Sequence, residues 1–417
     1  MNAELSQDNE QTPALLTRRL ASIDAYRGFV MFLLIAESLH FEAVAKKLPG
    51  NKIWAFLAHH QEHVEWVGCT LHDMIQPSFS FLVGVALPFS LMSRAAQGQS
   101  TTRRTLHAFW RAFVLVALGI FLRSMGRKQT NFTFEDTLTQ IGLGYGFLYI
   151  LATRSIRIQA MALAVILVGY WAAFALYPLP GADFDYAAIG LAKDAPDSLS
   201  GFAAHWNKNT NIAWRFDTWF MNLFPREAPF RINGGGYSTL SFIPTLGTML
   251  LGLLGGEVLL RRDRRPWAKM GTLVLAGLIS LGIGYGLGEL GICPVVKKIW
   301  TPSWVLFSGG YCLIALGITY AFLDLVSSRS AEYPLVVRGL RVAAFPLIVI
   351  GANSIAAYLM TWLFKGWIIA NLKTHLGQEA FRKLGIEYEP TVLGAGVVLV
   401  MWLMLFWMYK RKIYLRV

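Results

Sequence analysis

The sequence predicts an all-α polytopic membrane protein with about ten transmembrane helices, and three observations carry that expectation. Of its 417 residues, 55% are hydrophobic and only 15% charged, with a mean hydropathy of +0.45, whereas soluble domains are nearer a quarter charged. Apolar stretches long enough to cross a bilayer recur along the chain. The basic residues behind the formal net charge of +13 lie in short runs between those stretches. That is how the preference of Lys and Arg for cytoplasmic loops distributes them, so no nucleic-acid partner is expected.

Taken in order, residues 1–19 read as a disordered cytoplasmic tail and 20–417 as one transmembrane domain. The tail lacks a basic start and a small-residue cleavage site, so no cleaved signal peptide is expected. Spans fall near 26–41, 74–93, 106–123, 137–152, 156–177, 240–260, 268–288, 302–324, 343–364 and 391–409, the first and fourth being short. Alternate loops sort by charge. The N-terminal tail, 94–105, 153–155, 261–267 (with Arg-Arg-Asp-Arg-Arg at 261–265), 325–342 and the C-terminal tail are short and dense in Lys and Arg. Segments 42–73, 178–239 and 365–390 are long and dilute in positive charge. Both termini are therefore expected in the cytoplasm, with 42–73 and 178–239 on the opposite face. In a bacterium this describes a multi-pass protein of the inner membrane with its long segments in the periplasm.

The segment 178–239 is too long for a bare connection between packed helices. Its Trp206, Trp214, Trp219, Asn207, Asn211, Arg215 and Asp217 suit a carbohydrate surface, and equally an aromatic belt at the bilayer interface. No phosphate-binding glycine motif is present. Cys69, Cys293 and Cys312 show neither a pairing pattern nor a zinc spacing.

Chemistry concentrates at 59–73, where four of the eight histidines (His59, His60, His63 and His72) accompany Glu62, Glu65 and Asp73 at the mouth of the second span. Imidazole exchanges protons near neutral pH, so this cluster is the candidate acid–base site. His59 and His63 share a helical face, but His-His-Gln-Glu-His is not a zinc-protease motif and no third ligand stands out; no metal is expected. Ionisable groups inside spans need a reason to be there. Asp24 and Arg27, three apart, form a helical pair. Glu37 has no basic partner spaced to neutralise it and is a functional candidate, whereas Asp73 at a helix start serves as a cap or orients a histidine. Gln76, Gln140, Asn353 and Ser354 are polar groups in apolar surroundings, suited to substrate binding or to interhelical hydrogen bonds.

Five blocks, in order, carry a resemblance. Arg-Leu-Ala-Ser-Ile-Asp-Ala-Tyr-Arg-Gly at 19–28 resembles the opening of the heparan-alpha-glucosaminide N-acetyltransferase family. His63-Val-Glu-Trp66-Val-Gly68 leading into Asp73-Met-Ile-Gln-Pro-Ser-Phe is similar to its histidine segment. Thr-Leu-Thr-Gln-Ile-Gly at 137–142, Lys-Lys-Ile-Trp-Thr at 297–301 and Gly-Ala-Asn-Ser at 351–354 match further blocks. The resemblance implies a transmembrane acyltransferase bundle that takes acetyl from cytosolic acetyl-CoA, as co-substrate, and delivers it to a glucosamine amine across the membrane. It implies a homodimer as well. It places the family's active-site histidine at His63 and its lysine at Lys297. The family's functional asparagine falls at about Ser38, its Asn-Lys pair reads Val296-Lys297, and its Asp-Pro-Glu-Gly turn is replaced by Gly-Tyr-Ser-Thr at 236–239.

Expected roles follow from acyl transfer to an amine, which needs a base, oxyanion donors and cations for the CoA phosphates. His63 is the expected base or a transient acetyl carrier. Glu37 and Asp73 orient it or hold the sugar ammonium. Ser38, Trp66, His72, Gln76 and Ser354 are candidates for binding the substrate or its acyl group. Gln140, Asn353 and Lys297 are candidates for the oxyanion or the acyl carbonyl. Arg103, Arg104 and Arg341 are phosphate candidates on the cytoplasmic side. The alternative is a proton-coupled secondary transporter of N-acetylglucosamine or a related sugar, with Glu37 and Asp73 as proton relay. Such transporters show two similar halves, and no internal repeat is found here.

Overall fold

The computed structural model describes residues 20–181, 183–189, 191 and 198–415. The expected tail at 1–19 lies outside the described residues. Among those described, the chain is helical, with no strand beyond one isolated antiparallel bridge between Val67 and Val296. Among the described residues, nine helices are long and apolar enough to cross a membrane.

Helix α1 (Ala21–Ala36) ends in a tight turn at Glu37–Leu39, and two short helices follow, α2 (Phe41–Lys47) and α3 (Lys52–Gln61). Asn51 starts α3 by accepting hydrogen bonds from the backbone of Ile53 and Trp54. After the histidine loop come α4 (Ile75–Ala96), α5 (Thr101–Ser124), α6 (Thr137–Ala152) and α7 (Ile156–Ala175). The 178–239 segment carries one short helix, α8 (Ile212–Phe220), capped by Asn211. Then follow α9 (Phe242–Leu260), α10 (Pro266–Glu289), α11 (Pro302–Tyr320), α12 (Pro334–Ala352), α13 (Ser354–Leu363), α14 (Lys365–Leu376) and α15 (Glu389–Lys410).

Two expected spans differ. The fourth, α6, has 16 residues and is shorter than a bilayer needs; Leu138, Ile141 and Leu148 bury it inside the bundle. The ninth, expected at 343–364, is two helices. The backbone breaks at Asn353 (φ −130°, ψ 45°), and α13 and α14 then bend by 64°. Hydropathy runs through the break because both flanks are apolar, and one amide is too small a polar signal to interrupt it.

Helices α4 and α9 form the buried centre, and small residues let their backbones touch. A Cβ on Gly84 would lie 1.9 Å from the Met249 carbonyl oxygen, and one on Gly252 would lie 2.0 Å from that of Phe81. Helices α5, α7 and α10 are peripheral and turn Phe109, Phe113, Val165, Val168, Leu278 and Ile283 outward, as lipid-facing helices do.

Candidate active site

The histidine loop is folded around one carboxylate. Asp73 Oδ2 accepts hydrogen bonds from the backbone N–H of Val64 (3.2 Å) and Thr70 (3.0 Å) and from the Thr70 hydroxyl (3.0 Å). Its other oxygen, Oδ1, lies 2.7 Å from His63 Nδ1 and 3.2 Å from Lys297 Nζ. Lys297 arrives from a distant segment. Gly68 N–H donates to the Val295 carbonyl (3.0 Å), Lys298 donates to the Glu65 carbonyl (2.7 Å), and Thr301 Oγ1, which caps α11, accepts from Val296 N–H (3.0 Å). These bonds clamp 293–301 against the histidine loop.

The three side chains differ in access. Asp73 and Lys297 are 1% and 5% exposed, whereas His63 is 39% exposed, so the imidazole is the most accessible of the three. Lys297 Nζ also lies 3.1 Å from His63 Nδ1, and one ring nitrogen cannot donate to the carboxylate and accept from the ammonium at once. The shorter contact assigns Nδ1–H as donor to Asp73. Lys297 then donates to the same carboxylate oxygen, and the lone pair of His63 Nε2 is left for proton transfer. Burial draws the Lys297 ammonium below the usual lysine range, while Asp73 opposes that shift. The His72 ring sits 4.5 Å from that of His63.

His63 opens on a cavity of about 560 Å³. Glu37, Ser38, His72, Gln76 and Lys297 also line it, so the structure gathers six of the sequence candidates. Glu37 is exposed to this space at the end of α1 and is therefore not a carboxylate stranded in lipid. The wall opposite α4 was not foreseen. Asp136 caps α6 through Leu138 N–H, accepts from Arg123 Nε (3.2 Å) and accepts from the Tyr358 hydroxyl (3.0 Å). The Arg123 guanidinium lies over the Trp362 ring. Glu135, Asn233, Tyr237 and Lys365 complete this side. Burial pushes the Glu135 carboxyl up and the Tyr237 phenol up to about 12. Arginine at the end of an apolar span was a visible signal for this wall; its partners come from α6 and α13, which no local pattern links.

A second cavity, of about 810 Å³, is lined by Arg27, Arg94, Arg103, His107 and Arg111, and by Ser354. The two cavities lie end to end. On α4, Ile75 and Gln76 face the first and Phe79 the second; on α13, Tyr358 faces the first and Ile355 the second. About one helical turn separates them on each helix.

The remaining candidates lie elsewhere or make other contacts. Trp66 is buried and donates Nε1–H to the Trp206 carbonyl (3.1 Å), bracing the loop without lining the cavity. Gln140 donates to the carbonyls of Phe134 and Thr239 and organises the cavity rim from behind. Asn353 grips the C-terminal segment through Ile413 and Leu415. Arg104 bonds Thr101, Arg341 is exposed on α12, and neither lines either of these two cavities. In the 178–239 segment, Trp206 and Asp217 are buried, Asn207 binds Leu199 and Asn211 caps α8, so these four serve the fold rather than a sugar surface.

No family model matches the chain. Human heparan-alpha-glucosaminide N-acetyltransferase is 22% identical to it over 441 aligned positions, covering 96% of this chain and 60% of the human protein. The mouse protein of the same name is 21% identical over 393 positions, covering 85% and 55%. The chain thus spans 60% or less of the length of these curated relatives. The similarity runs across most of the chain rather than along one motif, so this multi-pass helical protein is similar to heparan-alpha-glucosaminide N-acetyltransferases along its bundle.

Proposed function

We propose that this protein is a transmembrane N-acetyltransferase that moves acetyl from cytosolic acetyl-CoA to the amine of an amino sugar on the opposite face of the membrane. The observation that carries the proposal is the end-to-end pair of cavities, one rich in arginine and the other opening on a histidine held by a buried carboxylate. In this reading the arginine cavity faces the cytoplasm, where the dense positive loops lie, and the histidine cavity faces the periplasm of a bacterial inner membrane.

The residues present fit the donor. Arg27, Arg94, Arg103, His107 and Arg111 supply planar and cationic groups for the CoA phosphates. The thioester carries an activated acetyl group to the short boundary between the cavities. His63 Nε2 accepts the proton lost by the amine as the C–N bond forms. Asp73 stabilises the resulting imidazolium, and Lys297 donates to the oxyanion that develops on the acetyl carbonyl. As the C–S bond breaks, the proton on His63 passes to the leaving thiolate. Glu37 and Glu135 line the same cavity and attract the acceptor while it is still an ammonium ion.

Thiol release from acetyl-CoA by protein in lipid nanodiscs, with and without glucosamine, tests the proposal. Acceptor-dependent release is expected, and His63→Ala is expected to lower it by about 10²-fold or more. Sugar uptake into vesicles with no thiol release would overturn the reading in favour of a transporter.

A further inference from the structure

A third cavity, of about 220 Å³, adjoins the reaction cavity and differs from it in chemistry. Its walls are Ile369 of α14 and Pro390, Leu393, Gly394 and Val397 of α15, with Ser38, His40, Lys373 and Glu389 as its polar members. Glu389 is engaged by Arg382 at 2.8 Å. The aliphatic walls offer no hydrogen-bond donors to a sugar, and α15 is one of the helices long and apolar enough to cross the membrane.

Two features join this groove to the reaction cavity. Ser38 lines both. Lys365, Ile369 and Lys373 are spaced four apart on α14 and so form one stripe, whose first member lines the reaction cavity and whose other two line the groove. The junction is firmly built. A Cβ on Gly394 would lie 2.0 Å from the Ser38 carbonyl oxygen, and the Thr391 hydroxyl donates to the Leu39 carbonyl (2.8 Å). The first turns of α15 are thereby held against the turn that ends α1.

We propose that this groove receives the hydrocarbon tail of a membrane-borne acceptor, so that the enzyme's amino sugar is an amphiphile rather than a free sugar. The inference rests on the transferase reading above and specifies its acceptor. With the amine at His63, the tail follows the α14 stripe past Ser38 and lies against Ile369, Leu393 and Val397. Each methylene removed from water or from the crowded interfacial layer strengthens the complex.

Acetylation of octyl glucosaminide and of glucosamine by protein in nanodiscs tests this, with wild type beside Ile369→Trp and Leu393→Trp. These residues stand outside the catalytic machinery, and the indole fills the groove. The wild type is expected to prefer the octyl compound by at least about tenfold in kcat/KM. Both variants are expected to lose most of that preference while retaining the wild-type kcat/KM for glucosamine. Equal use of the two acceptors would overturn the inference and leave the transferase standing. A preference that survives both variants would assign it to partition of the octyl compound into the bilayer, which also overturns the inference. Thiol release that depends on neither acceptor would overturn the transferase reading and this inference with it.

Discussion

At the scale of the residue, Asp73 does two jobs that one substitution separates. Asp73→Asn keeps an oxygen for the Val64 and Thr70 N–H groups, so the loop remains folded. It removes the charge that holds Nδ1–H on His63 and stabilises the imidazolium. The transferase rate is expected to fall by about 10²- to 10⁴-fold with the KM for acetyl-CoA changed less than about threefold, as steady-state kinetics would show. Another buried carboxyl, Asp217, sits outside this chemistry and accepts a hydrogen bond from the Thr239 N–H (2.9 Å). Burial raises it from an ordinary 3.8 to about 7. The folded protein therefore keeps this proton to a higher pH than the unfolded chain does, and its contribution to stability is lost as pH rises from about 4 through about 7. Asp217→Asn is expected to flatten that loss, so that its melting temperature stands highest relative to wild type at pH 8 and the difference shrinks steadily as pH falls toward about 4.

At the scale of the element, the bundle depends on backbone contact between helices. A Cβ on Gly351 of α12 would lie 1.9 Å from the Asp24 carbonyl oxygen of α1, which has no side chain to swing aside. Gly351→Ala must therefore part the helices, and a loss of about 1–3 kcal/mol is expected by thermal or denaturant unfolding in nanodiscs. Gly339 lies on the same helix with open space around it, and Gly339→Ala is expected to be neutral or stabilising by up to about 1 kcal/mol. The break between α12 and α13 has its own role. Asn353 Nδ2 donates to the Ile413 carbonyl (2.9 Å), and its Oδ1 accepts from Leu415 N–H (3.0 Å), which holds Tyr414 and Leu415 in the wall of the arginine cavity. Asn353→Ala is expected to raise the KM for acetyl-CoA about three- to tenfold while kcat holds, because the wall loosens and the chemistry at His63 does not.

At the scale of the whole molecule, the proposed transfer requires the two cavities to open on opposite faces of the membrane. In a variant with Cys69, Cys293 and Cys312 replaced, Glu65→Cys beside the histidine loop is expected to react with a membrane-impermeant maleimide in cells whose inner membrane is intact. Arg262→Cys, in the basic run between α9 and α10, is expected to react only after that membrane is permeabilised. Labelling of both positions from the same side would remove the transmembrane direction of transfer.

Composition and the spacing of apolar runs determined the class of fold, because in lipid a backbone must satisfy its own hydrogen bonds and helices do so locally. The cluster at 59–73, with the family resemblance, singled out His63, whose ring lines a cavity. Asp73 was legible as a partner for a histidine because the two lie in one loop. What no local pattern held were the groups brought from elsewhere in the chain. Arg123, Asp136 and Tyr358 come from three segments, and Arg27, Arg94 and Arg111 converge from three helices. The same limit explains the misplacements. Asn353 and Gln140 signalled only that a polar group was buried, and whether its partner is a substrate or a carbonyl depends on which segments pack beside it. Ser38, where the resemblance places the family's functional asparagine, lines two cavities of different character, a fact that exists only once α14 and α15 are folded against the end of α1. Periodicity and composition are local and survive in one dimension; the walls of a cavity are set by long-range packing, and only tertiary structure decides them.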